Sequence, residues 1–104
     1  MVIDEIHELL ATPRPADTAP YLELVDATLT AGYAHALQLE AERWRLERRI
    51  REVAARLADT EVHAHTDELV DLARRLEVAN ESIALLRSLL ASLRERRAEA
   101  RTAA

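Results

Sequence analysis

Apolar residues recur along most of this chain at alternating steps of three and four. From Leu22 the series runs Val25, Leu29, Gly32, Ala36, Leu39, Arg43, Leu46, Ile50, Val53 and Leu57, apolar or small everywhere except Arg43. A repeat of 3.5 residues is the signature of a helix with one continuous seam. A second series keeps the same rhythm through Val62, His65, Leu69, Leu72, Leu76, Ala79, Ile83, Leu86, Leu90, Leu93 and Arg97. Between them lies the polar stretch Asp59-Thr60-Glu61-Val62-His63-Ala64-His65, which places a turn near 59–65. Thr66 followed by Asp67 and Glu68 reads as a helix start, because carboxylates complement the positive N-terminal end of the helix dipole.

Ahead of the first series, Val2, Ile3, Ile6, Leu9 and Leu10 give an amphipathic stretch over residues 2–11. Pro13, Pro15 and Pro20 then interrupt the pattern. Two prolines two apart exclude a helix interior, so residues 12–19 read as a linker; Asp17 or Thr18 can cap the next helix, with Pro20 in its first turn. The predicted fold is all-α. An N-terminal acidic amphipathic helix and linker (1–19) precede an antiparallel, coiled-coil-like helical hairpin (20–104).

Further apolar stripes flank the seams. Tyr33, Leu37, Ala41 and Trp44 share one face of the first arm, and Val78, Ser82, Leu85, Leu89 and Ser92 run beside the seam of the second. A face that wide suits a bundle of three or more helices, and a twofold pair of hairpins makes a four-helix bundle. The expected association surface is therefore Tyr33, Leu37, Trp44, Val78, Leu85 and Leu89, in a homodimer. Ile3, Ile6, Leu9 and Leu10 form a segment that either docks another protein or caps the bundle end. Gly32 and Ala36, adjacent small seam positions, predict close helix approach opposite Leu86 or Leu90, with a hinge or small pocket as the alternative.

Composition agrees with long helices. Ala (20), Leu (17), Arg (14) and Glu (13) supply most of the 104 residues, against one Gly, three Pro and no Phe, Cys or Lys. The absence of Cys removes disulfides, thiolate metal sites and a cysteine nucleophile. Arg used to the exclusion of Lys fits a GC-rich bacterial source. No apolar run approaches the ~18–20 residues of a membrane span, and the first residues lack the basic region of a signal peptide, so a cytoplasmic protein is expected.

Charge is unevenly spread. Residues 1–40 carry seven acids against Arg14, while the rest carries thirteen Arg against twelve acids. That profile disfavours nucleic-acid binding, which would have to use the tail Arg94, Arg96, Arg97 and Arg101 without interleaved aromatics. The same tail can complement its helix dipole or meet Glu23 and Asp26 across the hairpin. Arg43 in the seam reads as a snorkelling or ion-paired residue; with Arg74 and Arg75 it is alternatively a site for an anion or nucleotide phosphate. His63 and His65 beside Glu61 and Asp67 read as solvated turn residues rather than metal ligands, since positions two apart on a helix diverge. No nucleophile–base pair, glycine-rich phosphate loop or paired carboxylates in an apolar setting is present, so neither catalysis nor a cofactor is expected.

The predicted architecture is similar to that of small actinobacterial anti-sigma factors switched by cyclic di-GMP, which are also antiparallel helical hairpins. Their Glu-x3-Ser-x2-Arg-x3-Gln-x3-Asp motif aligns here with Asn80, Ala84, Arg87, Ala91 and Glu95. Arg87 alone is identical, so the ligand chemistry does not carry over. The expected function is a non-enzymatic protein–protein interaction module: a small dimeric regulator, adaptor or assembly component that binds itself and a further protein. The alternatives are an anion-sensing bundle and, behind it, a nucleic-acid-binding hairpin.

Overall fold

A computed structural model describes residues 1–13, 15–57 and 62–103, apart from the side chains of 62–64 and 103. Among the described residues every regular element is helical: α1 (Val2–Ala11), α2 (Thr18–Arg56) and α3 (Val62–Ala103). The expected turn at 59–65 overlaps residues outside the described set, as do the side chain of His63 and all of Glu61. Its C-terminal limit is corrected, because α3 already begins at Val62, ahead of the Thr66 start that the acid pair suggested. Backbone helicity here extends past the point where a favourable cap first becomes available.

The seams govern burial. Every described position of both 3.5-residue series is buried or half-buried, Arg43 and Arg97 included. The helices form where sequence and packing agree: Ala, Leu, Arg and Glu are strong helix formers, and the seam supplies the apolar stripe that makes a long helix stable. Pro20 sits in the first turn of α2, where its missing N–H costs no helical hydrogen bond.

The chain divides into two compact units, Met1–Leu37 with Ala84–Ala104 and Gln38–Ile83. The first unit joins α1 to the start of α2 and the end of α3. Ile6, Val25, Leu86 and Leu93 are fully buried in it, with Tyr21, Leu29, Leu89 and Leu90 nearly so. Rising positions on α2 meet falling positions on α3: Asp26 accepts a hydrogen bond from Arg97, and Gly32 faces Leu90. The second unit is a thinner assembly. Among the described residues its buried positions, Val53, Leu72, Ala79 and Ile83, belong to the two seams, and Arg49 on α2 bonds Glu68 on α3.

α1 is held in the first unit by a contact the sequence does not announce. The Arg96 guanidinium donates to the carbonyls of Leu9 at 3.2 Å, Leu10 at 2.6 Å and Thr12 at 3.2 Å. These are carbonyls at and just past the C-terminal end of α1, where the helix leaves acceptors without partners and a cation suits the dipole. Thr12 closes the same end, its hydroxyl donating to the Glu8 carbonyl at 2.7 Å. Replacing Arg96 by Met, which keeps the aliphatic stem, should cost about 1–3 kcal/mol. Hydrogen exchange should quicken in α1 while amides of residues 38–83 keep their wild-type rates. Unchanged exchange in α1 would mean that its apolar packing, with Ile6 at the centre, holds the segment without Arg96.

Candidate interaction surfaces

The residues expected to form an association surface divide into two groups. Leu37 is 68% exposed, Val78 61% and Trp44 56%, with Tyr33 and Leu85 also open to solvent. Leu89 is buried within the first unit and is not available at the surface of the single chain. Its position beside the seam looked peripheral because two helices need only one stripe each. The first unit contains a third helical segment, and Tyr21, Thr28 and Leu89 are correspondingly buried off the seam. Trp44 lies under Arg48, whose guanidinium carbon is 5.6 Å from the ring centroid, so an exposed cation–π contact covers part of the indole.

Of the α1 residues, Ile6 is fully buried, while Ile3, Leu9 and Leu10 are half-buried. The segment's apolar side is thus largely spent inside the first unit. Its solvent side carries Asp4, Glu5 and Glu8.

Arg43, Arg74 and Arg75 do not converge as one set. Arg43 faces Glu47 at 3.6 Å and Arg75 faces Asp71 at 3.2 Å, both pairs one turn apart on a single helix. Arg74 and Arg75 instead border a groove of about 640 Å³ in the second unit, whose floor includes Leu39, Leu46 and Leu72. Arg45 and Arg49 line it as well, with Glu42 as an acid among them. Arg49 is the firmest of these side chains, with Nη2 2.7 Å and Nε 3.0 Å from Glu68 Oε1. That hydrogen bond, reinforced by the charges of Glu68 and Glu52, raises the Arg49 pKa above its ordinary value.

Sequence reasoning passed over a second groove, of about 710 Å³, in the first unit. α1, residues flanking the linker and the start of α2 line it, with Glu5, Glu8 and Leu9 from α1 and Tyr21, Leu24 and Thr28 from α2. The signal that could have revealed it is Tyr21 and Thr28, seven residues apart and each one position before a seam residue. The Arg-rich tail meets the acidic start of α2 at one residue and α1 at another. Arg97 pairs with Asp26, as the expected juxtaposition with the acidic start of α2 requires, whereas Arg96 serves α1.

Among the described residues no group of three or more His, Asp or Glu is arranged to hold a metal ion. Within the same set no helix is long and apolar enough to cross a membrane. No protein family, curated protein or solved structure matches this chain.

Proposed function

We propose that this chain is a non-enzymatic protein–protein interaction module: an antiparallel helical hairpin that pairs with a second copy into a four-helix bundle. As such it would serve as a cytoplasmic regulator, adaptor or assembly component. The observation that carries this reading is the exposure of large apolar side chains on helix surfaces, foremost Leu37, Trp44 and Val78. Water contact with Leu, Val and Trp side chains is unfavourable by roughly 25 cal/mol per Å² of apolar area, and pairing with another surface removes it. The hairpin itself is supported by contact order, since Asp26 meets Arg97, Gly32 meets Leu90 and Arg49 meets Glu68.

Light scattering at micromolar concentration tests self-association directly. The expected mass is twice the 11.7 kDa of one chain. Trp44→Ala and Leu85→Glu, both at exposed positions, should each return a single-chain mass with the helical circular dichroism largely kept. Leu89→Glu is unsuited to this purpose, because it would place a charge in the interior of the first unit. A wild-type mass of one chain overturns the dimer.

The groove beside Arg74 and Arg75 favours a second reading, an anion-sensing helical bundle. Arg45 and Arg74 line it and have no ion partner among the described residues. Thermal unfolding against a panel of nucleotides separates the two. Ligand binding to the native state raises the midpoint with concentration, whereas a pure interaction module gives a flat response.

A further inference from the structure

We propose that the groove of the second unit, floored by Leu39, Leu46 and Leu72, docks an acidic amphipathic helix of a partner protein. This rests on reading the chain as an interaction module, but not on its self-association. The first unit shows what covers such positions. Tyr21 and Thr28 on α2 and Leu89 and Arg96 on α3 each stand one residue before a seam position. In the first unit, where α1 supplies a third helical segment, Tyr21, Thr28 and Leu89 are buried and Arg96 donates to the carbonyls at the end of α1. The same register positions in the second unit are Glu42 and Arg49 on α2 and Arg75 and Ser82 on α3, and all four line the groove. None of them is buried. The seams record the same difference. Leu29, Leu86, Leu90 and Leu93 are buried in the first unit, whereas Leu39, Leu46 and Leu76 in the second are only half-buried. Val78, one residue before Ala79 and 61% exposed, widens the apolar surface. A third helix on these positions would give the second unit the cover that α1 gives the first.

Charge sets the sign of the occupant. The lining runs, residues 39–49 and 72–82, lie wholly within the described residues. Arg45, Arg49, Arg74 and Arg75 line the groove against Glu42. Arg49 is answered by Glu68 and Glu52, and Arg75 by Asp71. Arg45 on α2 and Arg74 on α3 have no ion partner among the described residues, and neither has Glu42. Two unengaged cations, one on each helix, thus stand against one unengaged acid. Carboxylates on a docked helix gain Arg45 and Arg74, whereas Lys or Arg would be repelled by both. Leu-type side chains at i, i+3 and i+4 of that helix cover Leu39, Leu46 and Val78. α1 has this composition itself, with Ile6 buried and Asp4, Glu5 and Glu8 exposed, but its apolar side is spent in the first unit of every copy. The occupant therefore comes from another protein. Glu42 and Trp44 flank the same seam residue, Arg43, about 200° apart around the helix, so association through Leu37 and Trp44 leaves this groove open.

Fluorescence anisotropy with the full chain and three labelled peptides of about 15 residues, some four turns of helix, tests this. One combines Leu and Glu at helical spacing, one replaces each Glu by Lys, and one replaces each Leu of the first by Gln. The Leu/Glu probe should bind, the Leu/Lys probe should not, and the Gln/Glu probe should bind at least about tenfold more weakly. Arg45→Gln with Arg74→Gln should weaken the Leu/Glu probe about fivefold, a modest ion pair for each cation. Val78→Ser should weaken it about tenfold through lost apolar cover. All three positions are exposed, so these variants keep the fold. Arg94→Gln with Arg101→Gln removes the same charge from the first unit and should leave affinity within about twofold. Leu24→Ser, at an exposed residue of the first unit's groove, should also leave it within about twofold.

Wild-type affinity in the Arg45/Arg74 or Val78 variant overturns the proposal. So does equal loss in the Arg94/Arg101 or Leu24 control, which takes the probe to the other unit. Gln/Glu binding as tight as Leu/Glu overturns it by reducing the groove to an anion site, and Leu/Lys binding as tight does so by removing the charge selection. Light scattering reads the remaining occupant, a second copy. If Val78→Ser halves the mass of a wild-type dimer, the chain itself covers the groove and the partner helix is overturned. A monomer that binds the Leu/Glu probe retains this groove without self-association, and a dimer that ignores the probe retains self-association without the groove.

Discussion

Leu86→Ala is expected to lower the unfolding free energy by about 2–5 kcal/mol, while Leu85→Ala beside it should cost under about 1 kcal/mol in dilute protein. Leu86 is 0% exposed and Leu85 46%, although the two are adjacent in sequence and identical in chemistry. Adjacent positions on a helix point about 100° apart, so one enters the seam and the other leaves it. Truncating Leu86 loses the transfer free energy of the removed methyl and methine groups. It also leaves a cavity in an interior where Leu90 and Leu93 are buried too, and a close-packed interior relaxes only partly into such a space. For a chain of this size the Leu86 loss should move the thermal midpoint down by at least about 8 °C. Urea denaturation at submicromolar concentration keeps any effect of Leu85 on association out of the comparison. Similar losses for both variants would remove the assignment of Leu86 to the interior.

That contrast explains what could be read from the sequence. A seam repeating every 3.5 residues needs only local geometry, and the same stepping rule that picks Leu86, Leu90 and Leu93 also picks Val25, Leu29 and Val53. All six are buried. The close approach at Gly32 was legible for the same reason, with Leu90 one of the two residues expected opposite it. Burial off the seam was not legible. Leu89 and Thr28 are covered because the first unit has a third helical segment, and whether α1 packs there depends on long-range contacts such as Arg96 reaching carbonyls more than 80 positions away. The pattern Val2, Ile3, Ile6, Leu9, Leu10 is equally good for docking on this chain or on another. For the same reason the first unit's groove was missed, since residues of α1, the linker's flanks and α2 line it, and no periodicity within one helix encodes their juxtaposition. The Arg43, Arg74 and Arg75 grouping failed in the opposite direction. Charged residues one turn apart pair along their own helix at small entropic cost, and Glu47 and Asp71 reach Arg43 and Arg75 first.

Gly32→Leu should destabilise the first unit by about 3 kcal/mol and release α1, the upper end of what overpacking a filled interior usually costs. A Cβ on Gly32 would lie 2.5 Å from Leu90 Cδ2 and 3.5 Å from Ile6 Cδ1. The backbone at Gly32 is ordinary helix without positive φ, so space rather than conformation reserves this position for glycine. Gly32→Ala sets two effects against each other. Alanine gains about 1 kcal/mol in helix propensity, whereas displacing the buried Leu90 methyl costs about 1–3 kcal/mol. The net change is expected between no effect and a loss of about 2 kcal/mol. Leucine retains most of the propensity gain but adds three carbons beyond the Cβ, and these cannot be accommodated by turning Leu90 alone because Ile6 closes the other side. The loss should therefore appear in α1 as faster hydrogen exchange at its amides. A double-mutant cycle identifies the cause. Leu90→Ala vacates the contested volume, so Gly32→Ala should be less harmful, or stabilising, in that background than in the wild type. If the two substitutions instead add without coupling, Leu90 is not what keeps this position small, and the intolerance of Gly32 would have to come from Ile6.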